Sequence, residues 1–379
     1  MKAEVAFTSL LAAARALKPY TTPQRWHTRT WLLYLRTDGD ILTLSATTGD
    51  ETAHVAVPGA VADGACAVAP DTLIRALTAI KPGGRAARAA VVRMRAADGR
   101  LHLDLDTGWG VGLDTDDPAA DPPTVVPAHG RLVTVGPVAG WCDLVAGVAS
   151  AAGRDLARPD LSVVRLRRDH PQLVLMVEAT DRRRVHRGAW GEPAGEPVDV
   201  CMPVDAARRA VRLLRAIDPT GQVLVHTDDA TVTWHTSQVT VSAVTGTNAL
   251  PDLEKLREDV LADVTTTFSA DRDALAAALR TAHDLAATTT HSRVRLEPHT
   301  GVSLDVVVHA DSGETLHRAE VAITRPADPG GPLLLDAAVA AQAFAFLDGD
   351  HATVHAGAGR LPIYLHGARR HAVLMQLVG

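Results

Sequence analysis

MPVDAARRAVRLLRAI, residues 202–217, sets a short apolar lead against an aspartate and then runs on with apolar residues at helical spacing. The same plan stands twice more in the chain, as APDTLIRALTAI (69–80) and LLLDAAVAAQAFAFL (333–347). Asp71, Asp205 and Asp336 occupy one place in the three copies and stand 134 and 131 residues apart. Each is expected to cap its helix, because a carboxylate there accepts orphaned backbone N–H groups and complements the helix dipole. A second helical pattern opens each third: FTSLLAAARALK (7–18), VGPVAGWCDLVAGVAS (135–150) and FSADRDALAAALRTAHDL (268–285), with starts 128 and 133 residues apart. Two independent markers thus give one period of about 130 residues, and self-similarity of this kind outranks any local motif in deciding the fold.

Between the helices the sequence changes to alternating strand patterns around short turns. RTDGDILTLSA turns at Asp38-Gly39, AADGRLHLDLD at Asp98-Gly99, HTDDATVTWHT at Asp228-Asp229 and VRLEPHTGVSLDVVVHA at Thr300-Gly301. Each third therefore reads as helix, hairpin strands, helix, hairpin strands, an α+β arrangement with antiparallel sheet. DDPAADPPTVVP (116–127) and LPDLEKLREDVLADV (250–264) fall where linkers belong, which sets three expected domains at 1–127, 128–258 and 259–379.

Composition narrows the class. The chain has 379 residues, 46% hydrophobic and 22% charged, and a formal charge of −6, which argues against a protein that coats nucleic acid with its whole surface. A basic face on an acidic body is still compatible with that balance. Cys66, Cys142 and Cys201 are scattered and form no CxxC pair, so neither a disulfide framework nor a metal site is expected. No apolar run is long enough to suggest a membrane span, and the first residues lack an export pattern; the expected location is cytoplasmic.

The whole chain resembles the bacterial DNA polymerase III beta subunit, the sliding clamp. Four stretches carry the likeness in the family's order and approximate spacing. The first is an apolar helix followed by the TDGDILTL hairpin, and the second is VEATDRRRVHRG (177–188), similar to a strand ending V-A-T-D-G-H-R-L. GTNALPDLEKL is similar to a G-x-(F/Y)-P-D-Y segment, and AVLMQLVG to a V-M-P-M-R ending. The resemblance implies three clamp domains per chain, two chains joined head to tail in a homodimeric ring around duplex DNA, helices lining the hole and antiparallel sheets outside. It implies a non-catalytic processivity factor of DNA replication, without cofactor, associated with the nucleoid.

A hole lined by helices should carry cations there, since phosphate neutralisation gives sequence-independent attraction. Arg15, Lys18, Arg75, Lys81, Arg208, Arg209, Arg212, Arg215, Arg272 and Arg280 sit on or beside five of the six expected helices, and Arg208, Arg212 and Arg215 share one face. The sixth, DAAVAAQAFAFLDGD, has no base. Arg25, in the TTPQR loop, stands about where the family has a DNA-touching arginine.

The family also binds short linear peptides of polymerases, clamp-loader subunits and repair proteins in a hydrophobic cleft. The matching segments assign to that cleft Leu161, Thr180, Arg182, Arg183, Arg184, Val185, Pro251, Lys255, Leu256, Val373, Leu374, Met375 and Leu377. Aliphatic walls with a basic rim suit such a groove. Two departures stand out: Arg182-Arg183-Arg184 where the family has Gly-His-Arg, and Met375-Gln376-Leu377-Val378 where it has Met-Pro-Met-Arg. They point to a diverged clamp whose groove admits only cognate partners or evades a cleft-directed inhibitor. Catalysis is not expected, because no GxSxG, HExxH or phosphate-binding loop occurs. The alternative to a clamp is an interaction scaffold of the same fold that no longer encircles DNA.

Overall fold

A computed structural model describes residues 1–21, 32–83, 86–106, 108–116, 130–153, 158–192, 195–246, 250–299, 303–325, 331–357 and 361–377. Among them are 24 strands and eight α-helices, which we number in chain order. Contacts divide the chain into two compact units, Met1–Asp143 with Asp205–Thr245, and Leu144–Val204 with Gly246–Gly379.

The first unit is built on a sheet of twelve strands. They are β1 (Lys2–Ala6), β2 (Leu33–Asp38), β3 (Ile41–Thr47), β4 (Glu51–Ala62), β5 (Gly64–Val68), β6 (Val91–Ala97), β7 (Arg100–Leu105), β8 (Gly110–Asp114), β9 (Arg131–Pro137), β14 (Gln222–Thr227), β15 (Thr231–His235) and β16 (Val239–Val244). The path is β8-β7-β6-β1-β4-β16-β15-β14-β9, with β3 on β4, β2 on β3 and β5 on β2. Its helices are α1 (Phe7–Leu17), α2 (Pro70–Ala79), the single turn α3 (Ala86–Ala89), the first half of α4 (Val138–Ala149) and α5 (Val204–Ile217) from Asp205 onward. Phe7, Leu10, Leu11, Ala14 and Leu17 of α1 are buried, the i, i+3, i+4, i+7 stripe that makes this segment an amphipathic helix.

The second unit also holds twelve strands. They are β10 (Val163–Arg168), β11 (Leu175–Thr180), β12 (Arg184–Trp190), β13 (Val198–Pro203), β17 (Val264–Asp271), β18 (Arg293–Pro298), β19 (Ser303–His309), β20 (Thr315–Arg325), β21 (Leu333–Asp336), β22 (His351–Gly357), β23 (Ile363–His366) and β24 (Arg370–Leu374). Their order is β13-β10-β11-β12-β24-β23-β22-β17-β20-β19-β18-β21. Helices α6 (Leu253–Ala262), α7 (Arg272–Ala286) and α8 (Ala337–Phe346) complete it with the end of α4. Leu275 and Leu279 of α7 and Ala340, Ala343 and Phe344 of α8 share one core with the inward residues of the strands.

Every strand pairing within these sheets is antiparallel, as the turn spacing predicts. Each third of the chain contributes eight strands, so the period read from the helices extends to the sheets. The fourth and eighth strands obey a rule. The eighth strand of the second third, β16, pairs with the fourth strand of the first, β4, through Val239↔Val55 to Ala243↔Glu51. The eighth strand of the last third, β24, pairs with β12 in the same way, through Arg184↔Leu374 to Gly188↔Arg370.

Some local expectations are corrected. Asp71 is not a cap: Ala69 precedes the helix, Pro70 opens it, and Asp71 sits in the first turn, bonded to Lys18 at 2.6 Å. Proline supplies the fixed φ that starts a helix, so no side-chain cap is required. Asp205 likewise lies inside the first turn of α5, whereas Asp336 caps α8 by accepting from Val339 N at 3.0 Å. Residues 250–264 are not a plain linker, because Asp252 accepts from Glu254 N and Lys255 N and so nucleates α6. The first hairpin turns on Gly39-Asp40, one residue later than expected, since Asp38 pairs with Ile41. The Asp98-Gly99 turn is as read, with both residues at positive φ, 53° and 73°. The Thr300-Gly301 turn and Arg25 lie outside the described residues.

Candidate peptide groove and cationic helix faces

The hairpin between β11 and β12 is a five-residue loop, Thr180–Arg184, closed by its own side chains. Thr180 Oγ1 donates to Arg184 O at 2.7 Å and accepts from Arg182 N at 3.1 Å. Asp181 Oδ1 accepts from Arg183 N and Arg184 N at 2.9 and 3.0 Å. The same loop recurs at Thr47–Glu51, between β3 and β4, and at Thr227–Thr231, between β14 and β15. In all three a threonine bonds forward to the carbonyl four residues on, and the next side chain caps the returning strand. The middle residue adopts a left-handed backbone each time: Gly49 at φ 96°, Arg182 at 72° and Asp229 at 70°. The first copy thus uses glycine where β-carbon crowding is felt most, and the second places an arginine there.

That loop is one wall of a cavity of ≈ 200 Å³ lined by Thr180, Arg182, Arg183, Arg184, Val185, Pro251, Leu253, Leu256, Val373 and Met375. The floor is apolar because Val185, Leu253 and Val373 belong to a satellite core with Val163, Leu250, Val260 and Tyr364, onto which α6 docks. Met375 N donates to Arg183 O at 2.8 Å and fixes the chain end against the loop. Met375 itself is exposed at the mouth.

Nine of the thirteen residues assigned to the cleft from sequence line this cavity. Four do not. Leu374 is fully buried in the main core, and Leu161 is buried in a short turn, Pro159–Leu161, whose carbonyl accepts from Gly153 N. Lys255 points to solvent from α6, and Leu377 is bonded through its N–H to Leu334 O. Leu253 was missed; it opens α6, and the signal for it was Asp252 as a cap, hidden by the reading of this stretch as a linker.

The four arginines of VEATDRRRVHRG separate by partner. Arg184 is tied down, donating to Ser150 O at 2.7 Å and to Gln342 of α8 and pairing with Asp181 at 3.3 Å. Arg187 lies in an ion cluster, 2.8 Å from the fully buried Glu178 and also on Glu254, which bonds Arg257. Burial pushes the Glu178 carboxyl up from its ordinary range, against the pull of Arg187, Arg165 and Arg167. Arg182 and Arg183 are exposed and pair with no described carboxylate. Asp160 senses Arg182 but is held below the usual carboxylate range first by its hydrogen bonds from Arg158.

The cations assigned to DNA are likewise of two kinds. On α5, Arg209 is turned inward onto the buried Glu51 at 2.8 Å, while Arg208, Arg212 and Arg215 share the outer side. Arg215 bonds Asp143, Arg208 lies 3.5 Å from Asp205, and Arg212 is exposed without an ion pair among the described residues. Arg15 donates to Thr78 across the α1–α2 pair, Lys18 holds Asp71, and Arg75 bonds back to Asp71 O. Arg272 donates to Gly349 O at 2.8 Å and lies 3.5 Å from Leu347 O, so it neutralises the carbonyl end of α8. Arg280 is exposed on α7. α8 has no lysine or arginine of its own.

Two twelve-stranded antiparallel sheets, eight strands and a pair of long helices from each third, define the class: a clamp-type α+β repeat fold. It is the fold of the beta subunits of DNA polymerase III. Solved structures of that subunit from Thermotoga maritima, Pseudomonas aeruginosa and Streptococcus pyogenes match at TM-scores of 0.82, 0.82 and 0.84. Each match covers 100% of this chain and 99%, 100% and 100% of the other, at 13%, 16% and 12% identity. A Pseudomonas aeruginosa sliding clamp, 16% identical with a TM-score of 0.83, is bound to griselimycin. By sequence, no protein-family model and no curated protein matches the chain. Among the described residues, no helix is long and apolar enough to cross a membrane.

Proposed function

We propose that this protein is a DNA sliding clamp: a non-catalytic processivity factor that closes as a head-to-tail homodimer around duplex DNA. Its groove tethers a polymerase, clamp-loader subunits and other replication or repair proteins by short linear peptides. The strand rule carries the reading. Each eighth strand pairs with the fourth strand of the preceding third, as β16 with β4 and β24 with β12. β8 has no preceding third and ends its sheet among the described residues, and β20 has no following one: it pairs with β19 from Thr315 to Ala322 but with β17 only at Ile323 and Arg325, which leaves the second edge of residues 315–321 without a partner among the described residues. Two copies satisfy both edges at once by β8 of one on β20 of the other, a heterologous joint that closes when the rotation allows. Trp109, 71% exposed beside β8, and Leu316, 43% exposed on β20, are the apolar groups such a joint would cover. The outer side of α5, rich in arginine, supplies phosphate attraction without sequence preference.

The test is retention. Loaded onto closed circular DNA, the protein should stay bound in salt that abolishes ordinary phosphate contacts and should be released when the circle is cut. A stable monomer at micromolar concentration would overturn the joint. A dimer never retained on circular DNA would favour the scaffold reading, which α8 without a base already motivates.

A further inference from the structure

We infer that the groove selects peptides in which an acidic side chain stands beside the apolar anchor, an inference that rests on the peptide-groove reading above. The apolar well of ≈ 200 Å³ exceeds the roughly 150 Å³ that admits a benzene-sized group, so it seats one large aliphatic or aromatic side chain. Arg182 and Arg183 line that well, and both are exposed and form no ion pair among the described residues. The neighbouring carboxylates are already engaged. Asp181 accepts from two loop N–H groups and pairs with Arg184, Asp160 bonds Arg158, Asp252 caps α6, and Glu254 bonds Arg187 and Arg257. Arg182 and Arg183 are therefore the charges of the groove not engaged in an ion pair, and the loop holds Arg182 in a backbone conformation that favours glycine. Duplex DNA would match the charge but leaves the apolar well unfilled, which is why a peptide is the better occupant.

Two fluorescent peptides test this with the full chain by anisotropy, one with a single phenylalanine anchor flanked by two aspartates and one with asparagines in their place. Two partly exposed ion pairs should favour the aspartate peptide by about tenfold at low salt, and the preference should shrink at high salt. Arg183→Ser, which keeps the carbonyl that Met375 N uses, should lose part of the preference, and Arg182→Gly with Arg183→Ser all of it; an equal loss of affinity for both peptides with the preference intact overturns the assignment to these arginines. Equal affinity of the wild type for both peptides overturns the selectivity while leaving the groove. Displacement of the bound peptide by a short duplex overturns it in favour of phosphate recognition. Failure of both peptides to bind overturns the groove reading as well.

Discussion

Replacing Arg182 by glycine should stabilise the protein, although it removes a side chain that reaches the groove. A non-glycine residue in the left-handed region costs about 1–2 kcal/mol relative to its relaxed backbone. Glycine gives back about 0.5–1 kcal/mol because its unfolded chain is freer. The net gain expected for Arg182→Gly is therefore about 0.5–1 kcal/mol. The loop's hydrogen bonds survive, since Arg182 contributes only its backbone N–H, to Thr180 Oγ1. Calorimetry should show the second unit melting roughly 1–4 °C higher, the range for a folding unit of this size. The first copy of the loop supplies the reverse experiment: Gly49→Ala, at φ 96°, should lose a similar amount from the first unit. A neutral or destabilising Arg182→Gly, with the Thr180–Arg184 loop intact by NMR, would refute the argument that conformation is being sacrificed at this position.

Three other outcomes follow from the described contacts. Burial lowers the pKa of His186 to about 4 from 6.5, where it stacks on Phe346 at 4.5 Å and donates to Gly147 O. Its unfolded form therefore takes up a proton first. This contribution is complete above pH about 6.5 and falls by about 1.4 kcal/mol over the first unit below it. His371, also lowered to about 4, adds to the loss. Urea titrations at pH 7 and 5.5 measure it, and equal stability at both would sink the assignment. Arg187→Met should cost about 3 kcal/mol or more by leaving the fully buried Glu178 without its nearest cation, and adding Glu178→Leu should restore much of that. A double-mutant cycle gives the coupling, which should be near zero only if Arg165 replaces Arg187. Reversing Arg212 and Arg215 to glutamate should weaken binding to linear duplex DNA and flatten its salt dependence by about one unit of slope per lost contact, with only the small loss of melting temperature that breaking the exposed Arg215–Asp143 pair brings. An unaltered slope would show that this side of α5 does not face phosphate.

The repeat was legible because helical periodicity and cap-like aspartates survive where individual residues do not. Antiparallel hairpins were legible from Asp-Gly pairs, even though the first turn slips by one residue when Gly39 takes the positive φ. Nine residues assigned from local stretches line one cavity, but α6 was hidden because a Pro-Asp pair reads equally as a linker or a helix start. The division of labour among the four arginines could not be read at all. Arg184 and Arg187 find Gln342, Ser150 and Glu254 at positions 34 to 158 residues away, and no local pattern encodes such partners. Nor did the run TDRRR announce that its third residue, Arg182, needs a left-handed backbone. Only its alignment with the loop containing Gly49, once both sets of hydrogen bonds are known, makes that visible.

Under the joint proposed between copies, the pairing of eighth strands with fourth strands makes covalent linkage and self-association interchangeable. The joint proposed between copies repeats that of β24 with β12, a free fourth strand meeting a free eighth one, with the two strands on different chains. A chain built of any number of such thirds ends in the same two complementary edges. Splitting a chain between thirds, or fusing two copies in tandem, would therefore change how many joints depend on concentration without changing what any joint is made of.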